Sequence, residues 1–225
     1  MKQTICAILT ALLLCLCLLA LIMGNITAPG LMRPLMERFA PPEYTGLPAA
    51  EYGPVTEMID GYLSGEREVF QHVYTVEGRE YLAFNQKEQQ HMADVRGLFR
   101  LCNVQIWALV LGAAAAIIFE SHMLGDLRAM RVFRRTLLLI LAALTAVVVL
   151  AVLDFDGMFR LFHQLAFTND LWLLDPRTDM LIRLMPLEFF ISYAAIIGGL
   201  WLAGMAAMLI FATVRIRKLN ANEGE

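Results

Sequence analysis

Asn85-Gln86-Lys87-Glu88-Gln89-Gln90-His91-Met92-Ala93-Asp94-Val95 is the run on which the reading of this chain turns. Asn85 with Glu88 three residues later has the form of an N-cap and its capping-box acid, so a helix should begin here. Glu88 and Asp94 lie three residues either side of His91, and both are its neighbours on a helix surface. Past this run comes Leu101–Phe119, 19 residues without a charge. A helix from Lys87 through Phe119 is about 50 Å long at about 1.5 Å per residue. Only about 30 Å fits in bilayer hydrocarbon, so its first turns stand outside, with His91 near the headgroups.

Three more blocks share that character. Thr4–Met23 is uncharged and mostly apolar, Thr136–Leu153 is free of charge, and Phe189–Thr213 precedes Arg215, Arg217 and Lys218. The 225-residue chain is 59% hydrophobic with mean hydropathy +0.60, above the roughly 45–50% apolar of soluble domains. Its apolar excess is gathered in these four blocks, which predicts a membrane all-α fold of four transmembrane helices, at about 4–23, 101–119, 136–153 and 189–213. The first block is read as a retained helix. It is longer than the apolar core of about 7–15 residues in a signal peptide, and Ala28-Pro29-Gly30 is a poor cleavage site. Gly199, Ala203 and Ala207 set small residues at every fourth position of the last block, a pattern suited to close helix packing in lipid.

Between the first two blocks lies a polar insert, 24–98, long enough to be folded or functional in its own right. Pro41-Pro42 and Gly46-Leu47-Pro48 suggest that its first half is extended or turned. Glu57–Leu63 reads as a short helix ending near Ser64-Gly65. Val69–Val76 and Glu80–Phe84 read as a hairpin around Glu77-Gly78. The insert is thus a small α+β cap. A second polar insert, 154–186, separates the third and fourth blocks, and Glu120–Arg135 reads as a short loop rich in arginine.

Basic residues orient the helices. Lys2, Arg128, Arg131, Arg134, Arg135, Arg215, Arg217 and Lys218 fall on one side, whereas 154–186 holds only Arg160, Arg177 and Arg183. Both termini and the arginine loop are therefore expected in the cytoplasm. The cap and 154–186 face outside, and with them His91 and His163. His72 on the expected strand and His122 on the cytoplasmic side read as incidental.

Net charge is −3, and no basic stripe or RNA-binding signature points to nucleic acid. All four cysteines lie in or beside apolar blocks, so no disulfide framework braces the loops. Cys15 and Cys17, two apart on a helix, point away from each other. No Gly-x-Ser-x-Gly elbow, phosphate loop or His-Glu-x-x-His helix is present. Two histidines at one membrane boundary instead suit general acid–base chemistry, because neutral imidazole can take a proton near pH 7 and return it. Taken alone, His91 between two acids is more often a solvated helix face. A metal-dependent hydrolase using His91, His163 and Asp94 or Asp179 lacks the third well-placed ligand that zinc sites usually have. A non-enzymatic four-helix scaffold or receptor is the other alternative.

Asn85-x-x-Glu88-x-x-His91-x-x-Asp94-Val95, followed by Phe162-His163-x-x-x-Phe167-x-Asn169-x-x-Trp172-x-Leu174-Asp175-Pro176-x-Thr178-Asp179-x-Leu181-Ile182, resembles the lipoprotein intramolecular transacylase (Lit) family. The four-helix layout with an extracytoplasmic cap is similar as well. The resemblance implies a plasma-membrane enzyme acting on a lipoprotein whose N-terminal cysteine carries an S-linked diacylglyceryl group. The sn-2 acyl chain moves to the α-amino group of that cysteine, giving the lyso form. It implies His91 and His163 as the catalytic pair, with Glu88, Asp94, Asn169, Trp172, Asp175 and Asp179 in support. An apolar, aromatic substrate lining would include Phe84, Phe162, Phe167 and Trp172. The partners implied are the diacylated lipoprotein and membrane lipid; no cofactor or metal is called for, and the oligomeric state is left open. Ester aminolysis needs a proton acceptor for the amine and a donor for the leaving glyceryl oxygen. His91 is assigned to the first role and His163 to the second, with the order reversible.

Overall fold

The computed structural model describes residues 2–23, 29–120 and 125–222; for 23, 29, 102–106, 115 and 118–120 it describes the backbone alone. The chain divides into two compact units. One comprises residues 1–24, 103–154 and 197–225, the other 25–102 and 155–196.

The first unit is built on long apolar helices. Helix α1 spans Lys2–Met23, α6 Leu127–Leu153, and α9 Leu187–Asn222, of which the unit takes the part from Ile197. Among the described residues these three are long and apolar enough to cross a membrane, with hydropathies of 3.1, 3.0 and 2.1. The fourth expected span, 101–119, falls within α5, Gln86–Glu120, where several side chains lie outside the description. Ala7, Ala11 and Cys15 form a buried stripe on α1, in one cluster with Phe133 and Leu137 of α6 and Trp201, Met205 and Ala212 of α9. The residues outside this seam, such as Leu139, Val152, Leu153 and Ile210, are exposed, the pattern of helices solvated by lipid tails.

Two expectations for this unit are corrected. The Gly199, Ala203 and Ala207 stripe is exposed, and the packed face of α9 carries Trp201, Met205 and Ala212 instead. The small residue that matters is Gly204, where a Cβ would stand 2.3 Å from a methyl of Leu18. Arg128, Arg131, Arg134 and Arg135 are not in a loop, since α6 begins at Leu127. Its N-cap, Asp126, accepts from the N–H of Arg128 (2.7 Å) and of Ala129 (3.2 Å), the usual answer to the unpaired donors of a helix start. His122 lies outside the described residues. Cys15 and Cys17 turn to different neighbours, the Met205 sulfur at 3.4 Å and the Leu109 carbonyl at 3.0 Å.

The second unit starts with α2 (Pro29–Phe39), α3 (Pro42–Thr45), a 3-10 turn (Ala49–Glu51) and α4 (Tyr52–Ser64). The expectation of an extended or turned first half is therefore overturned. Pro42 and Gly46 punctuate short helices and do not prevent them, and Pro34 is accommodated inside α2. Pro42 occupies the first turn of α3, where a missing N–H costs nothing. Gly46, at φ +74°, gives α3 the left-handed stop that a residue with a Cβ adopts only under strain. Met32, Met36 and Ala40 share one buried face, and Val55, Met58, Ile59 and Tyr62 of α4 repeat at i, i+3, i+4 and i+7. Each fully buried large apolar side chain contributes about 1.5–3 kcal/mol, enough to override weak local propensity. Tyr52 donates its buried hydroxyl to the Ala40 carbonyl and lies 3.0 Å from the Thr45 hydroxyl. Helix α4 starts five residues before the expected Glu57 and ends at Gly65, φ +94°.

The hairpin is present but shorter than expected: β1 is Val73–Val76 and β2 Arg79–Leu82, antiparallel with Val73 opposite Leu82. Glu77 (φ +50°) and Gly78 (φ +78°) make the turn, both left-handed as a two-residue type I′ hairpin requires. The expected insert 154–186 is largely helical: α7 runs Phe155–Ala166 and α8 Met180–Leu184. Residues Phe84, Met92, Met180, Leu181, Leu184, Phe189 and Tyr193 join the α2–α4 face in one core.

Candidate active site

Helix α5 begins as its sequence requires. The Glu88 N–H donates to Asn85 Oδ1 (3.0 Å), and the Asn85 N–H donates to Glu88 Oε2 (2.7 Å), a complete capping box. The other Glu88 oxygen, Oε1, accepts the N–H of Leu181 at 2.6 Å, 93 residues away. Glu88 is 1% exposed. Burial pushes its carboxyl above the ordinary value, while the N–H groups of Leu181 and Asn85 pull it back. With both oxygens bound to backbone, Glu88 is a tie between α5 and α8 and not the carboxylate partner of His91 that the spacing suggests.

A second tie lies beside it. Asp179 Oδ1 accepts from the Asn85 amide (2.8 Å) and the Thr178 hydroxyl (2.9 Å), and Oδ2 accepts from the Asp175 N–H (2.7 Å). Burial alone would raise the Asp179 carboxyl, but these donors and the charge of Lys87 hold it below its ordinary value. Lys87 donates to the Leu173 carbonyl. Asp175 is gripped by Arg177, which donates from Nε and Nη2, and the Arg177 side chain and N–H hold that carboxyl down at about 2. Asp175 and Asp179 thus fold the turn between α7 and α8.

One turn into α5, His91 is 6% exposed, and His163, near the end of α7, is 8% exposed. Their ring centroids are 6.1 Å apart, tilted by 34°. Phe167 packs on both, edge-on to His91 at 5.3 Å and at 5.6 Å from His163. Trp172 lies 5.0 Å from His163, Phe162 5.3 Å and Phe159 4.1 Å. Aromatic rings therefore cluster round His163, and Phe167 bridges it to His91. Phe159 and Phe190, in contact at 5.0 Å, were absent from the sequence reading. The signal for Phe159 was its place four residues before His163 on a strongly amphipathic helix. Phe84 is a correction to the expected lining: it is buried in the core, 4.6 Å from Phe70.

The two rings differ in what holds them. His163 Nδ1 lies 2.7 Å from the Phe159 carbonyl oxygen. A carbonyl only accepts, so Nδ1 carries the proton and neutral His163 keeps a bare lone pair on Nε2. Burial pushes its pKa below the ordinary value, and the bond to Phe159 works against that shift. His91 Nδ1 is buried with no hydrogen-bond partner among the described residues. Burial, the neighbouring His163 and Lys87 push His91 down to about 4, against the opposing charge of Asp94. Asp94 itself accepts from the Asn169 amide at 2.9 Å. Asn169 in turn accepts the Leu171 N–H at 3.1 Å through Oδ1.

Both imidazoles are therefore neutral near pH 7, one with a fixed tautomer and one with an unpaired ring nitrogen. Such a pair can relay one proton. Among the described residues no three His, Cys, Asp or Glu side chains converge as metal ligands. Asp179, one acid considered for that role, already has both oxygens occupied. A cavity of about 550 Å³ opens alongside, lined in part by Phe167, Asn169 and Trp172.

The sequence model of the lipoprotein intramolecular transacylase Lit family matches residues 6–190. Among solved structures, the chain is similar to the membrane-integral lipoprotein intramolecular transacylase Lit from Bacillus cereus. The two are 19% identical, with TM-score 0.78 over 98% of each chain. Two further structures of the Bacillus cereus protein, each with one histidine replaced, by alanine or by arginine, match at 18% identity. Their TM-scores are 0.74 and 0.73, with 98% of this chain and 96% and 95% of theirs covered. No curated protein matches. At these identities the structures show a shared fold, and the family match spans most of the sequence. The chain belongs to the lipoprotein intramolecular transacylase family of membrane-integral acyltransferases.

Proposed function

We propose that this protein moves the sn-2 acyl chain of an S-diacylglyceryl-cysteine lipoprotein to the α-amino group of the same cysteine. The observation that carries the reading is the pair of neutral, buried imidazoles contributed by α5 and α7. The reaction forms an amide, breaks an ester, and carries one proton from the attacking nitrogen to the departing glyceryl oxygen. Nothing is oxidised, and no net proton is consumed. Because amine and ester belong to one substrate, holding them in a reactive ring can contribute about 7–11 kcal/mol. The aromatic cluster excludes the water that would otherwise hydrolyse the ester.

The hydrogen bonds favour the reverse of the first role assignment. His163, with Nδ1–H fixed on Phe159 and Nε2 bare, is the proton acceptor for the amine. His91, whose pKa of about 4 makes its cation a strong acid, is the donor toward the leaving oxygen. Asp94, anchored by Asn169, steadies the charge on His91 as the proton passes.

The same reading includes four membrane spans, both termini in the cytoplasm, and the cap and site outside the plasma membrane. Residues Leu161, Phe162 and Leu165 on the exposed side of α7 suit a helix lying at the headgroup level.

Expression in cells that otherwise make only diacylated lipoproteins tests the proposal. Mass spectrometry should show the N-acyl, S-monoacylglyceryl form, and an unchanged diacyl lipopeptide would exclude it. The pH profile offers a separate check. Burial pushes both histidines down, His91 to about 4, so both are neutral at pH 7 and the substrate amine sets the acid limb. With purified protein, kcat/KM should rise with pH until the α-ammonium is lost at about 7.7–8.0, without a second break at or above the ordinary histidine value of about 6.5. A break there would show imidazolium in the resting site. Stability changes in the same direction at lower pH: a histidine buried neutral, as His91 is, loses folding free energy as pH falls from about 6.5 toward 4.

A further inference from the structure

The cavity beside the histidine pair has a lining that catalysis leaves unused. Arg160, Gln164 and Thr168 succeed one another at four-residue spacing along α7 and just past its end, so they form one stripe. Phe159, His163 and Phe167 form the adjacent stripe, displaced by one residue. The first lines the cleft of about 550 Å³, and Phe167 belongs to both the cleft and the aromatic cluster. The cleft therefore adjoins the histidine pair through the shared rings of Phe167 and Trp172.

Its chemistry is polar. The side chains of Gln164, Thr168 and Asp170 are exposed and make no hydrogen bond to any described residue. Arg160 is paired with Asp156 at 2.9 Å. An acyl chain laid here would strip water from these groups and return no hydrogen bonds, which disfavours it. A peptide main chain, in contrast, offers one N–H and one C=O at nearly every residue. In a substrate whose reacting amine belongs to an N-terminal cysteine, the polar group leaving that atom is the peptide that follows.

We propose that this cleft binds the main chain of the residues following the acylated cysteine, so that the enzyme recognises a lipopeptide and not merely a lipid. The inference rests on the transacylase reading and deepens it. Gln164 supplies both a donor and an acceptor, and Thr168 a hydroxyl, groups that read main chain and not side chains.

The test compares two synthetic substrates with the purified full chain: an S-diacylglyceryl-cysteinyl hexapeptide, and S-diacylglyceryl-cysteine amide, which lacks the peptide. The peptide form should have the higher kcat/KM. In the double variant Gln164→Leu/Thr168→Val that preference should fall by about 10-fold, as expected for two lost hydrogen bonds. A ratio equal to that of the unaltered protein overturns the proposal, whatever happens to the absolute rates. Binding of the N-acetylated, unreactive forms, followed by tryptophan fluorescence, makes the same comparison without turnover. Absent turnover with peptide-dependent binding would count against the transacylase reading alone; binding indifferent to the peptide in both proteins would overturn this one.

Discussion

Replacing His163 with alanine is expected to lower kcat by about 10²–10⁴-fold, the range for a positioned general acid or base. The loss should appear in single-turnover measurements by mass spectrometry, with much less change in substrate binding, because the ring acts on a proton in flight. His91→Ala should cost a similar factor. The double variant makes the stronger statement. If the rings pass one proton between nitrogen and oxygen, removing both should cost little more than removing the more important one, since groups that act as a unit are non-additive. Fully multiplicative losses would mean two independent contributions and would sink the relay. The hydrogen bond of His163 is to Phe159, four residues back on the same helix, so its loss leaves the ties between helices in place. A matched thermal unfolding curve for His163→Ala excludes a folding defect directly.

Glu88→Ala should produce the largest loss of stability of any single polar substitution in this unit. Two backbone N–H groups, on Asn85 and Leu181, depend on its carboxylate at 2.7 and 2.6 Å. Leaving a buried donor unsatisfied costs about 1–3 kcal/mol, so about 2–6 kcal/mol is at stake before any cavity is counted. Thermal unfolding in detergent, with amide exchange at Asn85 and Leu181, measures it. Glu88→Gln should fall between, because its amide can accept from one N–H but presents a donor to the other. Activity should decline with the fraction folded and keep its pH profile, since Glu88 does not reach the histidines by any hydrogen bond. A shifted pH profile with unchanged stability would instead make Glu88 part of the proton path.

Glu88 also shows where sequence reasoning stops. Spacing places it beside His91 on a helix surface, and local chemistry makes it a capping acid. Both statements are true of the sequence. Only the fold reveals that its second oxygen is spoken for by Leu181. Phe84 is a similar case: an aromatic residue just before a site motif reads as lining, yet it belongs to the core. The helices of 29–51 were hidden for a different reason. Proline and glycine are read as breakers when the question is local, but at a helix start or stop they cost little, and the burial of Met36, Leu47 and Tyr52 decides the outcome.

Features governed by near neighbours were legible in the chain: apolar blocks long enough for a membrane, the Glu77-Gly78 hairpin, and the Asn85–Glu88 helix start. Each depends on contacts within a few residues or on transfer of one segment out of water, so composition and spacing suffice. The closeness of His91 and His163, 72 positions apart in sequence, is a tertiary fact. So are the bond that fixes the His163 tautomer, the unpaired nitrogen of His91, and the aromatic cluster. They follow from how α5, α7 and α8 are tied through Glu88, Asp179 and Asn169, and hydrogen bonds between distant segments leave no periodic mark on a sequence.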